Sequence, residues 1–358
     1  EEEAAEAASE GGADEVPPPP SPGSKEPLAE LLDRLDVLEH HLSAQQRLGE
    51  YRLVQEMTAF CEAGSGATLG LSEERASTLL RAMGRHTARR QPPASRLQWE
   101  ATLDDMTSLR ELACAALPAE AAAVEWLQAL LLAEQFRHAA DWLRGAGGAA
   151  VPAARAEEIV LAAARELFNS AASADAQALE QAAQCLRVLP SGSGSEAAKE
   201  EARLIEGVRL LDRLGVGRVP LEVRLKPNAQ RLELVLDVVA KMDSEAAKKL
   251  PLLEQLAECL GLHASADRHA VVEAAAWQAL AHKEMTLAFE LTLRLVDGGH
   301  ARAWALCEKL VSLGIAPPKK DAAALGRLLA HALAHCPPPR FGRLLSVWRR
   351  WRLLGALE

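Results

Sequence analysis

From Leu28 onward, apolar residues recur every three or four positions almost without a break, and this rhythm restricts the chain more than any other feature. Residues three and four apart share one face of an α-helix, so the pattern calls for a series of helices that each bury one stripe. Leu28, Leu31, Leu32, Leu35, Leu38 and Leu42 open it, behind Pro27, a residue suited to a first helical turn. Leu204, Val208, Leu211 and Leu214 form a second stripe, and Leu232, Val235, Leu236 and Val239 a third. Ala, Leu, Glu, Arg and Gln, all good helix formers, dominate the composition. One Tyr, five Phe and hardly any alternating β-branched run leave little from which to build a sheet.

Turn residues divide the rhythm. Ser72 before Glu73 and Glu74 is a helix-start signature, and Pro92-Pro93 forces a break before the segment around Trp99 to Leu117. Pro118, Pro152, Ser173, Ser195, Asn228, Pro251, Ser265 and Asp321 each open a further helical stretch; Gly145 to Gly148, Ser191 to Ser195 and Gly298-Gly299 punctuate them. This predicts about 14 to 16 helices of roughly 10 to 20 residues joined by short turns. Residues 122–143 and 270–293 share a pattern of helix, short polar turn and a second helix with small residues just after the turn. The expected fold is all-α, an irregular α-solenoid of antiparallel helical hairpins over residues 28–358. Residues 1–27, acidic and then Pro-rich, have almost no apolar surface and are expected to be disordered.

Charge narrows the partners. Residues 1–30 hold nine acids and one Lys, a net −8 of the chain's −10, so the rest is close to neutral. No general affinity for polyanions follows, and nucleic acid is not an expected partner, although local basic stripes remain. The six Cys stand singly without a CxxC pair, as small apolar residues in a reducing compartment would. No apolar run approaches the roughly 20 residues that span a bilayer. The chain opens on Glu rather than Met and carries no secretory signal, and a portion of a longer protein is expected.

Few residues suggest chemistry. His331, His335 and Cys336 have a zinc-ligand spacing but no evident fourth ligand, and are read as a helix face, so no metal is expected. Asp104-Asp105 lacks a third acid and reads as solvated surface. There is no phosphate-binding Gly loop and no nucleophile-base grouping, so neither catalysis nor a cofactor is expected. Arg81, Arg85 and Arg89 follow at i, i+4 and i+8 with Arg90 beside them, opposite Leu79, Leu80 and Met83. They are the candidate partner-binding residues: a dock for an acidic partner helix or for nucleic acid, or alternatively a solvated face. The tail from Arg340 to Leu357 carries five Arg and no acid, with Phe341, Trp348 and Trp351 interleaved. It reads as a packing face, or else as a helix that lies on an anionic membrane.

Several segments together point to a family. They are Arg85-His86-Thr87, Arg90-Gln91-Pro92-Pro93 and Trp99; Ala164 to Ser170, reading ARELFNS; Leu214-Gly215-Val216 with Pro220 to Leu225, reading PLEVRL; and Trp304, Cys307 and Ala334 to Pro338, reading AHCPP. In this order and spacing the chain resembles the Sec-thirty-nine domain family, from about residue 40 to about 345. The resemblance implies an α-solenoid in a Dsl-type tethering complex on the cytosolic face of the endoplasmic reticulum, engaged in Golgi-to-ER retrograde transport. It implies the zeste-white-ten and Rad-fifty-interacting tether subunits and an ER SNARE as partners, and membrane association through the complex. An adaptor role in mRNA surveillance (nonsense-mediated decay) is the alternative it carries. The family's β-propeller, expected ahead of this domain, is not among these residues, and neither end of the chain resembles the family.

Overall fold

The computed structural model describes residues 26–55, 71–114, 116–174, 176–190, 195–313 and 322–355. Among them are seventeen α-helices and no strand, so the chain is all-α. The expected disorder of residues 1–27 falls, up to residue 25, outside the described residues, as do Cys61 and Asp321. The chain divides into two compact units: residues 1–79 with 105–118, and residues 80–104 with 119–358.

The first unit contains α1 (Glu26–Glu50), the start of α2 (Glu73–Ala88) and the end of α3 (Arg96–Ala113). The C-terminal half of α1 buries His41, Ala44 and Leu48, with Tyr51 just past its end buried as well. It is tied to α3 at Asp105, which accepts hydrogen bonds from Arg47 Nη1 at 2.7 Å and Tyr51 Oη at 2.8 Å. Asp105 is thereby a structural acceptor rather than half of a carboxylate pair. The N-terminal half of α1 leaves Leu28 to Leu42 outside any core, each leucine of that stripe being more than half exposed.

The second unit holds the rest of α2 and α3, then α4 (Ala121–Leu132), α5 (Phe136–Arg144), α6 (Gly147–Ala150), α7 (Ala153–Ser170), α8 (Gln177–Leu186), α9 (Glu196–Arg213) and α10 (Pro220–Leu225). There follow α11 (Asn228–Met242), α12 (Leu250–Cys259), α13 (Ser265–Ala281), α14 (Met285–Asp297), α15 (Trp304–Ser312), α16 (Ala322–His335) and α17 (Pro338–Gly355). The excess over the expected number comes from short helices such as α6 and α10, too brief to show a periodicity. Consecutive helices pack as pairs: α4 with α5, α7 with α8, α11 with α12, α13 with α14, α15 with α16. Further packing of α4 on α7, α9 on α12, α11 on α13 and α14 on α16 joins one pair to another. A single apolar core, including Phe168, Val208, Val235, Leu253, Val271 and Leu328, runs from α7 to α17. In α11 the buried face is Leu234, Val235, Val238 and Val239, rotated slightly from the expected stripe, and Leu236 is only partly covered.

Two of these pairs, α4 with α5 and α13 with α14, turn by a common device. After α4, Gln135 N–H donates to Leu130 O and Glu134 N–H to Leu131 O; after α13, Glu284 donates to Ala279 and Lys283 to Leu280. These are the paired bonds of a Schellman end, which satisfies last-turn carbonyls and places one residue in the left-handed region. That residue is Glu134 (φ 60°) in one hairpin and Lys283 (φ 63°) in the other. The same bonds close α9, α12 and α14 at Gly215, Gly261 and Gly299, where glycine takes the positive φ without a Cβ clash. The resemblance between residues 122–143 and 270–293 is thus a shared turn geometry.

Helix starts are more varied. Ser195 caps α9, its Oγ accepting from Ala198 N–H at 3.3 Å. Ser265 is the first residue of α13 and makes no such cap. A reciprocal cap at an S-x-x-Q sequence, not among the helix starts named above, opens α3: Ser95 N–H donates to Gln98 Oε1 at 2.8 Å, and Gln98 N–H to Ser95 Oγ at 3.4 Å.

Candidate functional site

Arg89 and Arg90, expected to continue the arginine stripe, lie just past the end of α2 at Ala88, while Arg81 and Arg85 stand on that helix. Its opposite side buries Leu80, Met83 and Thr87. Gly84 allows the approach of α4: a Cβ there would lie 2.6 Å from Ala129 Cβ. Thr87 Oγ1 lies 3.1 Å from Thr102 Oγ1, linking α2 to α3. Trp126 of α4 donates from Nε1 to Trp99 O at 2.8 Å, and the two indoles meet edge to face with centroids 6.4 Å apart. Thr87 and Trp99 of the first family-like segment are therefore core residues, and its arginines point outward.

The four candidate arginines do not form one uniform surface. Arg81 grips the buried Glu125 of α4 with both arms, Nε to Oε2 at 3.1 Å and Nη2 to Oε1 at 2.8 Å. Hydrogen bonding to Glu125, and then its charge, raises the Arg81 pKa. Arg85, Arg89 and Arg90 are exposed, and among the described residues none has a side-chain hydrogen bond or ion pair. A planar guanidinium without an internal partner suits bidentate pairing with a carboxylate supplied from outside.

A second charged cluster lies deeper in the same unit. Glu201 of α9, almost wholly buried, accepts from Arg165 Nε of α7 at 3.3 Å and from Arg224 Nη1 of α10 at 3.2 Å; Arg224 Nη2 bonds its other oxygen. The Arg224 guanidinium lies 4.4 Å from the centre of the Phe168 ring, a cation–π contact. Arg231 of α11 donates to Val223 O at 3.3 Å, Arg224 O at 2.9 Å and Leu260 O at 3.1 Å, capping the ends of α10 and α12. Burial, and then the neighbouring Arg224 charge, lowers its pKa. The ARELFNS and PLEVRL segments thus meet in space through Glu201. A sequence signal for these acids does exist: Glu125 and Glu201 are acids on core-facing helix positions, which require a basic partner.

The remaining candidates have structural roles. His331 donates from Nε2 to His300 O at 3.0 Å, its ring lies 4.4 Å from that of His335, and Cys336 Sγ faces Leu333 O at 3.8 Å. Burial lowers the His331 pKa. Among the described residues no three His, Cys, Asp or Glu converge as metal ligands. Burial pushes the thiols of Cys114, Cys185 and Cys307 up to about 12, so these three are protonated, poor nucleophiles. Asp104 is exposed. On α17, Leu344 is buried and Arg340 pairs with Glu308 of α15 at 3.4 Å, so the start of the basic tail belongs to the body of the unit. No described helix is long and apolar enough to cross a membrane.

Helices packed in pairs, with polar residues committed to holding them together, define an all-helical protein among the described residues. The family profile of secretory pathway protein Sec39 matches residues 29–309, and the chain belongs to that family. It is 32% identical over 330 residues to MAG2-interacting protein 2 of Arabidopsis thaliana, covering 92% of this chain and 13% of that protein. It is 28% identical over 342 residues to the NBAS subunit of the NRZ tethering complex of Homo sapiens, covering 90% of this chain and 14% of that one. The chain thus spans about one seventh of the length of these relatives.

Proposed function

We propose that the chain is a non-enzymatic scaffold segment of a vesicle-tethering subunit acting in Golgi-to-ER retrograde transport. Its helical pairs stack as an irregular α-solenoid, which offers long faces to extended or helical partners. Membership of the Sec39 family and similarity to a subunit of a tethering complex support this reading. The partners would be the zeste-white-ten and Rad-fifty-interacting tether subunits and an ER SNARE, with the chain peripheral on the cytosolic face of the endoplasmic reticulum through the complex.

The observation that carries a contact surface is the exposed, unpaired trio of Arg85, in the last turn of α2, with Arg89 and Arg90 just past its end, on a segment held from behind by Gly84 and Thr87. An acidic helix or extended segment of a tether subunit or SNARE would complete it. Arg81 is excluded from the test, because reversing it would set two carboxylates face to face at Glu125. The variant R85E/R89E/R90E should keep wild-type helicity and melting temperature, since exposed charges contribute little to stability. Its association rate with those partners should fall by roughly tenfold or more at low salt. Partner binding unchanged across low and moderate salt would reduce the trio to a solvated face. Salt-dependent RNA binding lost in the same variant would favour the mRNA-surveillance adaptor instead.

A further inference from the structure

The first helix carries a feature that the arginine face does not explain. Leu28, Leu31, Leu35, Leu38 and Leu42 are 51–65% exposed, with Leu32 beside them at 53%. Their spacing alternates three and four, the a and d rhythm of a coiled-coil seam. At 100° per residue the seam lies roughly 140° around α1 from the face that buries His41, Ala44 and Leu48, so α1 cannot present both to the same body. Six leucines in fifteen consecutive residues form an apolar strip about 21 Å long, shaped for one helix of two to three heptads.

Charge selects the occupant. Residues 28–42 contain Glu30, Asp33, Asp36 and Glu39 against Arg34 alone, a net −3. Asp36 and Glu39 are exposed and border the seam on the side of Leu32. Two copies of α1 would bring two net −3 segments together, which opposes self-pairing. An anionic membrane would repel the same helix. A helix with its own apolar heptads and Lys or Arg beside them meets both the leucines and the acids. From this we propose that the leucine seam of α1 is a docking site for a basic amphipathic helix of a protein partner, paired with it as a short coiled coil.

Two labelled three-heptad peptides test this, both with Leu at a and d, one with Lys and the other with Glu at e and g. Neither should pair with itself, because like charges flank its own seam. Fluorescence anisotropy with the full chain should show the Lys peptide binding at least tenfold more tightly than the Glu peptide. L35Q/L38Q, which retains helix propensity, should weaken the Lys peptide tenfold or more with an unchanged circular dichroism melt. D36K/E39K keeps the leucines and should reverse the preference. R85E/R89E/R90E should leave peptide binding intact, so the two surfaces succeed or fail separately. Equal binding of both peptides, or of neither, would overturn the proposal. So would a wild-type dimer in sedimentation that L35Q/L38Q dissociates, or leucine-dependent binding to phosphatidylserine vesicles.

Discussion

At Glu134 and Lys283 the chain holds side-chain-bearing residues at positive φ in turns that three other helix ends make with glycine. A Cβ in the left-handed region crowds the adjacent carbonyl, at a cost of roughly 1–2 kcal/mol. Part of any gain from glycine is offset by its greater freedom in the unfolded chain. E134G and K283G should therefore each stabilise the protein by about 0.5–1 kcal/mol, read as a higher urea midpoint with an unchanged slope. Arg81 shows the opposite case, where exposure alone misleads. It looks like one member of a solvated stripe, yet it neutralises a buried acid 44 positions away. Helical spacing put Arg81, Arg85 and Arg89 on one stripe; the structure ends α2 at Ala88, before Arg89 and Arg90, and the position of Glu125 separates Arg81 from Arg85.

Among elements, α3 and α1 show how local sequence and packing divide the work. The Ser95–Gln98 reciprocal cap is local, encoded in four consecutive residues, and holds the helix that carries Trp99. Ser95→Ala should lower stability by about 1 kcal/mol in urea titration, the usual cost of losing an N-cap. Gln98→Ala should cost less, since the serine bond would remain. For α1 the sequence shows the leucine stripe but not its environment. Equal periodicity at Leu28–Leu42 and at Leu204–Leu211 leads to an exposed seam in one helix and a buried core in the other. Periodicity states which residues share a face; burial of that face needs another element opposite it.

Over the whole molecule, four histidines link stability to pH in one direction. Burial is the largest cause lowering the pKa of His41, His138, His269 and His331, with neighbouring positive groups adding to it. His269 faces His300 and Arg294, and His300 in turn bonds Glu273 at 2.8 Å. A lowered folded-state pKa means that the unfolded chain takes up the proton first. The stability these rings contribute is complete above about pH 6.5 and is lost as the pH falls through their folded values. Melting temperature should be level above about pH 7 and decline below 6.5, and His269→Gln should flatten part of that decline. A melting temperature that rises on acidification through this range would contradict it.

The sequence by itself determined the all-helical class, most helix boundaries and the turn residues, because helix propensity, apolar period, Pro and Gly act over a few neighbouring positions. It also placed Arg81 and Arg85 one turn apart on one helix. The tertiary structure decided which charges remain available. Arg81 went to Glu125, Arg165 and Arg224 to Glu201, Arg231 to three carbonyls, and Arg85, Arg89 and Arg90 to none among the described residues. It also decided that the most regular leucine stripe in the chain faces outward. The physical reason is range: a helix forms from contacts within one turn, whereas pairing of an ion or covering of a face depends on residues tens of positions away.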